Sequence, residues 1–206
     1  MPKLNALLQE INGCRRCAES LPLGPRPVVQ CSMQARIVVA GQAPGLKVHN
    51  TGIPFNDPSG NKLRAWMGID RETFYDSAKI NIVPMGFCYP GRDPRGGDLP
   101  PRPECRETWH DRLFATLPRP GLTLVIGRYA QDYHLAGGKS RSVTETVRAW
   151  RDFWPEIVPL PHPSPRNIGW FKRNPWFEDE VIPALRRRIA ELLAYDIGLI
   201  ASSESG

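Results

Sequence analysis

Short apolar runs alternate along this chain with segments whose apolar residues recur at helical spacing. Four runs are short, apolar and bounded by glycine, proline or polar residues, which is typical of buried strands. They span residues 35–40, 79–83, 122–126 and 156–160. The periodic segments predict helices at 4–13, 59–67, 104–117, 128–135, 142–153 and from 175 onward. This alternation favours a parallel sheet with helices on both faces.

The pattern predicts one α/β domain over residues 1–200, a three-layer αβα sandwich with a central four-stranded parallel sheet. A polar tail at 201–206 is expected to be disordered. With 206 residues, 41% of them apolar, the chain is long enough to bury a substantial core. Its apolar runs fall short of the roughly 18 residues that cross a bilayer, and its N-terminus lacks a signal-peptide layout. A cytoplasmic location without a membrane partner is therefore expected.

Composition adds an unusual number of loop residues. The chain has 22 Pro and 18 Gly, concentrated between the regular segments, which indicates long structured loops rather than disorder. Three such loops follow predicted strands, at 41–60, 84–103 and 161–174. Ligands of open parallel sheets bind beyond the carboxyl ends of the strands, so these loops form the predicted site. The net charge of +6 is only a mild indication of a polyanionic partner.

Five cysteines in a chain without an export signal favour metal ligation over disulfides. Cys14 and Cys17 form a C-x-x-C pair, and Cys88 and Cys105 flank a loop rich in Pro and Gly. Four thiolates at one centre would suit a zinc ion or a four-iron cluster, although buried unpaired thiols explain the pattern equally well. Cys31 has no partner at a suitable spacing and is expected to be a buried thiol.

An ordered set of motifs carries a family resemblance. In chain order it comprises the Cys14 and Cys17 pair, Gly-Gln-Ala-Pro-Gly at 41–45, Thr-Gly-Ile-Pro-Phe at 51–55, Ile-Asn-Ile-Val at 80–83, the Cys88 and Cys105 pair, and His-Pro-Ser-Pro-Arg-Asn at 162–167. In this order the chain resembles the uracil-DNA glycosylase superfamily over residues 14–190, most closely its iron-sulfur family four. The resemblance implies a DNA repair enzyme that flips uracil, or a related deaminated base, out of DNA and excises it, which starts base-excision repair.

The resemblance also implies roles for individual residues in the base pocket. Phe55 matches the aromatic ring that stacks on the flipped base, and Asn81 matches the amide that pairs with its edge through one donor and one acceptor. His162, fixed between two prolines, matches the histidine that hydrogen-bonds a base carbonyl as negative charge builds up on the leaving base. The pocket is completed by Gly41, Gln42 and Ala43, with backbone amides near Gln42 supporting the same oxygen.

The chain departs from the family at the position that activates water. Well-known uracil glycosylases carry Asp where this chain has Ala43, and family four usually carries Glu where it has Gln42. Neither residue can act as a general base. The nearest carboxylate, Asp57, is hypothesised to orient the attacking water or to stabilise the sugar cation, with His49 and Asn50 as lesser candidates. A purely structural role for Asp57, as the cap of the following helix, explains its position almost as well.

The second and third loops combine cations with apolar residues, which suits a DNA-facing surface. Cations neutralise phosphates, and an apolar wedge fills the gap left by an extruded base. The wedge candidates are Ile168, Trp170 and Phe171. The other DNA-binding candidates are Arg92, Arg95, Arg166, Asn167, Lys172 and Arg173.

The implied cofactor is a structural 4Fe-4S cluster held by Cys14, Cys17, Cys88 and Cys105, with zinc as the alternative. A monofunctional enzyme is expected, because no lysine lies among the matched catalytic positions to attack the sugar. The protein is also expected to be a monomer. Two rivals stay open. One is an iron-sulfur protein that recognises lesions in DNA without hydrolysis, and the other is a glycosylase for hypoxanthine, xanthine or a modified pyrimidine.

Overall fold

A computed structural model describes residues 2–135 and 141–203. Four parallel strands form one sheet in the order β2-β1-β3-β4. Their bounds are Ile37–Ala40 for β1, Ile80–Ile82 for β2, Leu122–Ile126 for β3 and Ile157–Leu160 for β4. Almost every strand residue is buried, which explains why the strands appear in the sequence as continuous apolar runs rather than alternating ones. The predicted αβα sandwich is confirmed.

Ten α-helical segments surround the sheet in the described part of the chain. They are α1 Pro2–Asn12, α2 Leu46–Thr51, α3 Pro58–Met67, α4 Arg71–Tyr75, α5 Pro103–Cys105, α6 Asp111–Thr116, α7 Gly127–His134, α8 Val143–Arg148, α9 Ile168–Arg173 and α10 Ile182–Ser203. A π-helical turn, Arg106–His110, joins α5 to α6, and a second one, Phe177–Val181, leads into α10.

Side chains on the two faces of the sheet enter different cores. On β1, Ile37 and Val39 belong to a core that includes residues of α3 and α10, whereas Val38 belongs to a core with α1 and α6. Successive strand residues point to opposite faces, so one short strand anchors both helical layers. The sheet is therefore covered on both sides, and its carboxyl edge is left to the loops.

The loops after β1 and β2 leave the sheet side by side. Backbone pairing continues past the strands, because Met85 N–H donates to the Gly41 carbonyl over 2.9 Å and Gly86 N–H donates to the Gln42 carbonyl over 2.8 Å. These bonds hold the first residues of both loops in a fixed relation. Backbone hydrogen bonding between the two chain segments thus continues beyond the carboxyl ends of β1 and β2.

Two features of the fold differ from the sequence prediction. Helices α2 and α9 lie inside segments predicted as loops, since each is too short for apolar periodicity to be visible among the surrounding Gly and Pro residues. Helix α10 extends to Ser203, so the first three residues of the predicted tail at 201–206 are helical, and 204–206 lie outside the described residues. Within the described ranges, no helix combines the length and the apolarity that crossing a membrane requires.

Candidate functional site

A cavity of about 260 Å³, here named the edge cavity, opens at the carboxyl edge of the sheet where the three predicted loops meet. The polar and aromatic residues around it are Gln42, Phe55, Asp57 and Ser59 from the first loop, Asp98 from the second, and His162, Ser164 and Arg166 from the third. Gly41, Ala43 and Gly45 contribute backbone to its wall. Convergence of the three loops follows from the parallel topology of the strands they extend.

Phe55 forms an aromatic wall of the edge cavity in a constrained conformation. Its φ of 53° lies in the left-handed region, which costs a residue other than glycine about 1–3 kcal/mol. Two glycines make room for it. A Cβ on Gly41 would lie 3.1 Å from the Phe55 ring, and one on Gly60 would lie 1.8 Å from the Phe55 carbonyl oxygen. Phe74 packs edge-on against the ring at 6.1 Å, so its position is set before any ligand binds.

Asp57 caps α3 and lines the edge cavity at the same time. Its Oδ1 accepts a hydrogen bond of 2.8 Å from the Gly60 N–H, and Pro58 occupies the first helical position. Its Oδ2 accepts no hydrogen bond from the described residues. Both sequence interpretations of Asp57 are therefore compatible with one geometry, because the cap fixes one oxygen and leaves negative charge at the cavity.

His162 lies directly beyond β4 on the wall of the edge cavity. Burial lowers its pKa, and the nearby Asp57 carboxylate opposes that shift without cancelling it. The imidazole is therefore neutral at neutral pH, with one nitrogen available as a donor. The loop is closed behind it by Asn167, whose Nδ2 donates to the His162 carbonyl over 2.8 Å. This bond gives Asn167 a structural task, and its contact with DNA stays a prediction.

Gln42 is held at the cavity by the helix that follows β3. A Cβ on Gly127, which starts α7 with a φ of 76°, would lie 2.5 Å from Gln42 Nε2. Glycine at this position lets the amide lie directly over the helix terminus. Gln42 is thereby fixed from two sides, since its carbonyl also accepts from Gly86.

Asn81 does not reach the edge cavity, which corrects its predicted place beside the base. The side chain is 1% exposed, and its Oδ1 accepts from Ser32 N–H over 2.7 Å while its Nδ2 donates to the Ser32 carbonyl over 3.2 Å. The neighbouring Ile82 lines the cavity, and successive residues of a strand face opposite sides. Asn81 therefore ties β2 to the segment before β1.

The lesser candidates for activating water also lie elsewhere. His49 is buried in α2, with its ring 6.0 Å from that of Tyr89, and it is outside the cavity lining. Asn50 contributes its carbonyl to a 3.0 Å hydrogen bond from Arg26. Among the residues predicted for this task, the structure brings Asp57 alone to the cavity.

Exposure separates the three wedge candidates. Ile168, at the start of α9, is 55% exposed. Trp170 is half-buried, and its Nε1 donates to Thr144 Oγ1 over 2.8 Å. Phe171 packs edge-on against Trp66 at 5.5 Å. Trp170 and Phe171 therefore belong to the core, and Ile168 is the candidate that can enter DNA.

The predicted DNA-binding cations differ in position, exposure and ion pairing. Arg166 lines the edge cavity, and Arg92 is exposed on the same segment as Asp98. Arg95 is 90% exposed but forms an ion pair of 3.2 Å with Asp93. Lys172 and Arg173 are exposed at the end of α9. Arg166 is thus the cation placed to act on a ligand in the cavity.

Asp98 is a cavity residue that the sequence did not indicate. Its Oδ2 lies 3.2 Å from the position that a Cβ on Gly45 would occupy. Loss of hydration at the cavity mouth raises the pKa of Asp98, and the negative charge of Asp57 adds to this rise. The positive charges of Arg166 and Arg92 lower the pKa but do not cancel the rise. The residue nevertheless stays exposed to solvent. In the sequence it belongs to a Gly-Gly-Asp stretch typical of turns, and only the tertiary fold brings that stretch to the first loop.

Four cysteines, Cys14, Cys17, Cys88 and Cys105, lie near one another and are here named the cysteine quartet. Cys17 and Cys88 share a small buried cluster, and the Phe87 N–H donates to Cys105 Sγ over 3.4 Å. Burial raises the pKa of Cys88 to about 11 and that of Cys105 to about 12, and the other members of the quartet add to each rise. Cys14 likewise adds to the burial effect that raises the pKa of Cys17.

These mutual effects link every pair of thiols in the quartet. Across the described residues, however, no group of three or more His, Cys, Asp or Glu side chains has an arrangement that could hold a metal ion. Cys31 lies apart from the quartet and is only partly buried, and loss of hydration raises its pKa to about 12.

A family model described as the Uracil DNA glycosylase superfamily matches residues 28–186, more than half of the chain. The matched region contains all four strands and the three loops that line the edge cavity. Cys14 and Cys17 precede it. The match therefore covers the cavity completely and the cysteine quartet only in part.

Proposed function

The chain belongs to the uracil DNA glycosylase superfamily, which supports a DNA glycosylase acting in DNA repair, and we propose that it hydrolytically excises uracil or a related deaminated base. One observation carries the proposal. The edge cavity combines an aromatic wall at Phe55 with a neutral histidine and a carboxylate. These are the groups that hold a flipped base and assist its departure.

Binding of the base follows from the preset position of Phe55. A base extruded from the helix loses its stacking partners, and stacking on an aromatic side chain returns about 1–3 kcal/mol. Because the Phe55 ring is already fixed by Gly41 and Phe74, little ordering is needed when the base enters. Arg166 and Arg92 at the mouth contribute positive charge toward the phosphates, and Ile168 is the apolar residue that fills the vacated position.

Bond cleavage sends electrons into the base and leaves positive charge on the sugar. His162, held neutral by burial, donates a hydrogen bond to a base carbonyl as that charge develops. Backbone amides near Gln42 support the same oxygen. Asp57 supplies the negative charge that orients the attacking water or stabilises the sugar cation, with its capping bond to Gly60 fixing its position.

The position of Asn81 favours a second candidate substrate class. Because its amide is bonded to Ser32, the side-chain amide that lines the edge cavity is that of Gln42. Base-edge readout by a different residue is compatible with hypoxanthine, xanthine or a modified pyrimidine. The lesion-binding rival without hydrolysis is disfavoured, because carboxylates line the cavity despite Ala43 and Gln42.

We also propose that the cysteine quartet holds a 4Fe-4S cluster with a structural task. A four-iron cluster spreads its thiolate ligands over separate iron atoms, whereas zinc needs all its sulfur ligands about 2.3 Å from one ion. The Phe87 N–H donates to Cys105 Sγ, and a backbone donor to sulfur is a contact that stabilises a thiolate ligand. When bound, the cluster ties the N-terminal segment to the loop after β2.

Excision on defined oligonucleotides tests the main proposal. The native protein is incubated with single- and double-stranded DNA carrying uracil, hypoxanthine or xanthine, and abasic sites are revealed by alkaline cleavage. We expect cleavage at uracil. Binding without cleavage of any base would instead support the lesion-recognition rival, and cleavage confined to another base would move the substrate to the second class.

Metal analysis tests the cluster. Protein purified without oxygen is expected to be brown, with about four iron atoms and four acid-labile sulfides per chain, the content of a 4Fe-4S cluster. A colourless protein containing one zinc per chain would overturn the proposal in favour of zinc.

A further inference from the structure

Residues 91–99, here named the Asp98 hairpin, place an acidic side chain with a well-defined backbone. An antiparallel bridge joins Arg92 to Asp98, and Leu99 N–H donates to the Gly91 carbonyl over 2.9 Å. The turn is formed by Gly96 and Gly97, whose φ values of 104° and 100° are readily adopted by glycine and rarely by other residues. The hairpin is therefore held by its own backbone hydrogen bonds, and Asp98 lies on its second arm.

The Asp98 hairpin reaches the edge cavity at its mouth, where it lies against both the first and the third loop. Asp98 lies against the Ala43-Pro44-Gly45 segment, where the absence of a side chain on Gly45 leaves room for its carboxylate. Arg166 Nη1 lies 3.0 Å from the position that a Cβ on Gly97 would occupy. The hairpin, the first loop and the third loop thus meet at the cavity mouth.

Asp57 and Asp98, the carboxylates that line the edge cavity, differ in their interactions with other residues. Asp57 uses Oδ1 to cap α3 and acts on His162. The Asp98 carboxylate forms no hydrogen bond or ion pair with any residue of the described ranges, and it faces Arg166, Arg92 and Asp57 at longer range. Since loss of hydration raises its pKa above the usual value of 3.8, it is a somewhat stronger base than an ordinary surface carboxylate.

We infer that Asp98 is the catalytic carboxylate that activates the attacking water, while Asp57 faces the sugar cation. The inference rests on the proposed glycosylase function and divides between two residues a task that Ala43 and Gln42 cannot perform. It places the base of the reaction on the loop after β2, at the mouth of the edge cavity where the sugar of a flipped nucleotide enters.

The step balances with water as the only co-reactant. The bond between C1′ and the base nitrogen breaks, and its electron pair leaves with the base. The water oxygen forms a bond to C1′ and passes a proton to the Asp98 carboxylate, which returns it to solvent. The released base anion, held by the hydrogen bond from His162, takes a proton from solvent.

Single-turnover excision by three variants tests this assignment. Asp98→Asn keeps the shape and removes the charge, and it is expected to slow excision about 10²- to 10⁴-fold, the usual contribution of a general base. Asp98→Glu is expected to retain more activity than Asp98→Asn. The matched control is Asp93→Asn, which removes a carboxylate from the same hairpin outside the cavity lining, and its rate should stay within about twofold of the native one.

Two further measurements separate chemistry from structure. The dissociation constant for DNA and the unfolding temperature of Asp98→Asn should match those of the native protein, and added formate should partly restore excision by Asp98→Ala. An Asp98→Asn rate within about threefold of native would overturn the assignment and leave the proposed function intact. Absence of excision by the native protein on every base would overturn both.

Discussion

The edge cavity and the cysteine quartet both include residues of the chain segment after β2, yet the surroundings of their reactive groups differ. In the cavity, Asp98 and His162 face open space of about 260 Å³ and have few internal partners. In the quartet, Cys88 and Cys105 are buried and face other thiols. The cavity groups are left incompletely satisfied and are free to contact a ligand, whereas Cys88 and Cys105 are shielded from solvent by the fold.

The difference also assigns each region its task. The cavity supplies a positioned aromatic ring, a neutral donor and carboxylates, which together stabilise charge that appears only during a reaction. Under the proposed function, a cluster held by the quartet would link the segment after α1, which carries Cys14 and Cys17, to the loop that carries Asp98. Damage to the quartet should therefore reduce stability first, while damage to the cavity should reduce rate alone.

The largest effect is expected from breaking the quartet. Cys88→Ser should lose most of the bound iron and about 2–5 kcal/mol of unfolding free energy, the magnitude of removing a native cross-link. Iron content and denaturant unfolding measure the two losses. Cys31→Ser is the matched control, because Cys31 is a partly buried thiol outside the quartet, and this variant should retain its iron. Equal iron in both variants would remove Cys88 from the ligand set.

The complementary change removes the donor of the cavity. His162→Ala should lower the single-turnover rate about 10²- to 10³-fold, as loss of one transition-state donor does, with iron content and unfolding temperature near native. The reason is that the ring contacts the leaving base while the loop is held by Asn167 and the flanking prolines. A variant that loses iron or unfolds in parallel with the rate would erase the contrast between the regions.

A smaller effect is expected from crowding the aromatic wall. Gly60→Ala puts a Cβ 1.8 Å from the Phe55 carbonyl oxygen, so the first turn of α3 has to shift. We expect a loss of about 1–3 kcal/mol of stability, as in other overpacked sites, together with slower excision. Gly13→Ala is the control, since its nearest neighbour would be Gln9 O at an ordinary 3.5 Å. Equal stability of the two variants would show that Phe55 is not constrained by Gly60.

The smallest effect concerns pH. Because burial lowers the pKa of His162 below 6.5, its neutral form persists as pH falls through the range in which an exposed histidine becomes charged. The excision rate should therefore change by less than about twofold between pH 8 and pH 6.5 and fall only at lower pH. Rate profiles on a uracil substrate measure this. A drop centred near pH 6.5 would show that the cavity leaves His162 unperturbed.

Much of the fold was accessible from the sequence because strands buried on both faces and long amphipathic helices leave clear patterns. The bounds of β3 were predicted to the residue, and the carboxyl-edge loops were predicted from topology alone. Short helices such as α2 and α9 left no such pattern, since one or two turns bury too few residues for periodicity to show. The candidate site was predicted in the same uneven way.

Residues on the loops after β1 and β4, such as Phe55, Asp57 and His162, reached the cavity as expected because motif and strand end coincide. Asn81 did not, because its position in β2 fixes which face its side chain takes, and that face meets Ser32. Asp98 was missed for the reverse reason. The turn at Gly96 and Gly97 is visible in the sequence, but the place of Asp98 at the cavity also depends on the empty space at Gly45, which lies in a different loop.

The sequence by itself determined the layers of the fold, the family and the loops that form the site, because periodicity and local motifs depend on neighbours along the chain. The tertiary structure alone decided which side chains of those loops share one cavity. It placed Asn81 outside the cavity and Asp98 on its lining, left Ile168 exposed and brought four thiols near one another. Such choices depend on side-chain direction and on contacts between distant segments, which only the packed chain establishes.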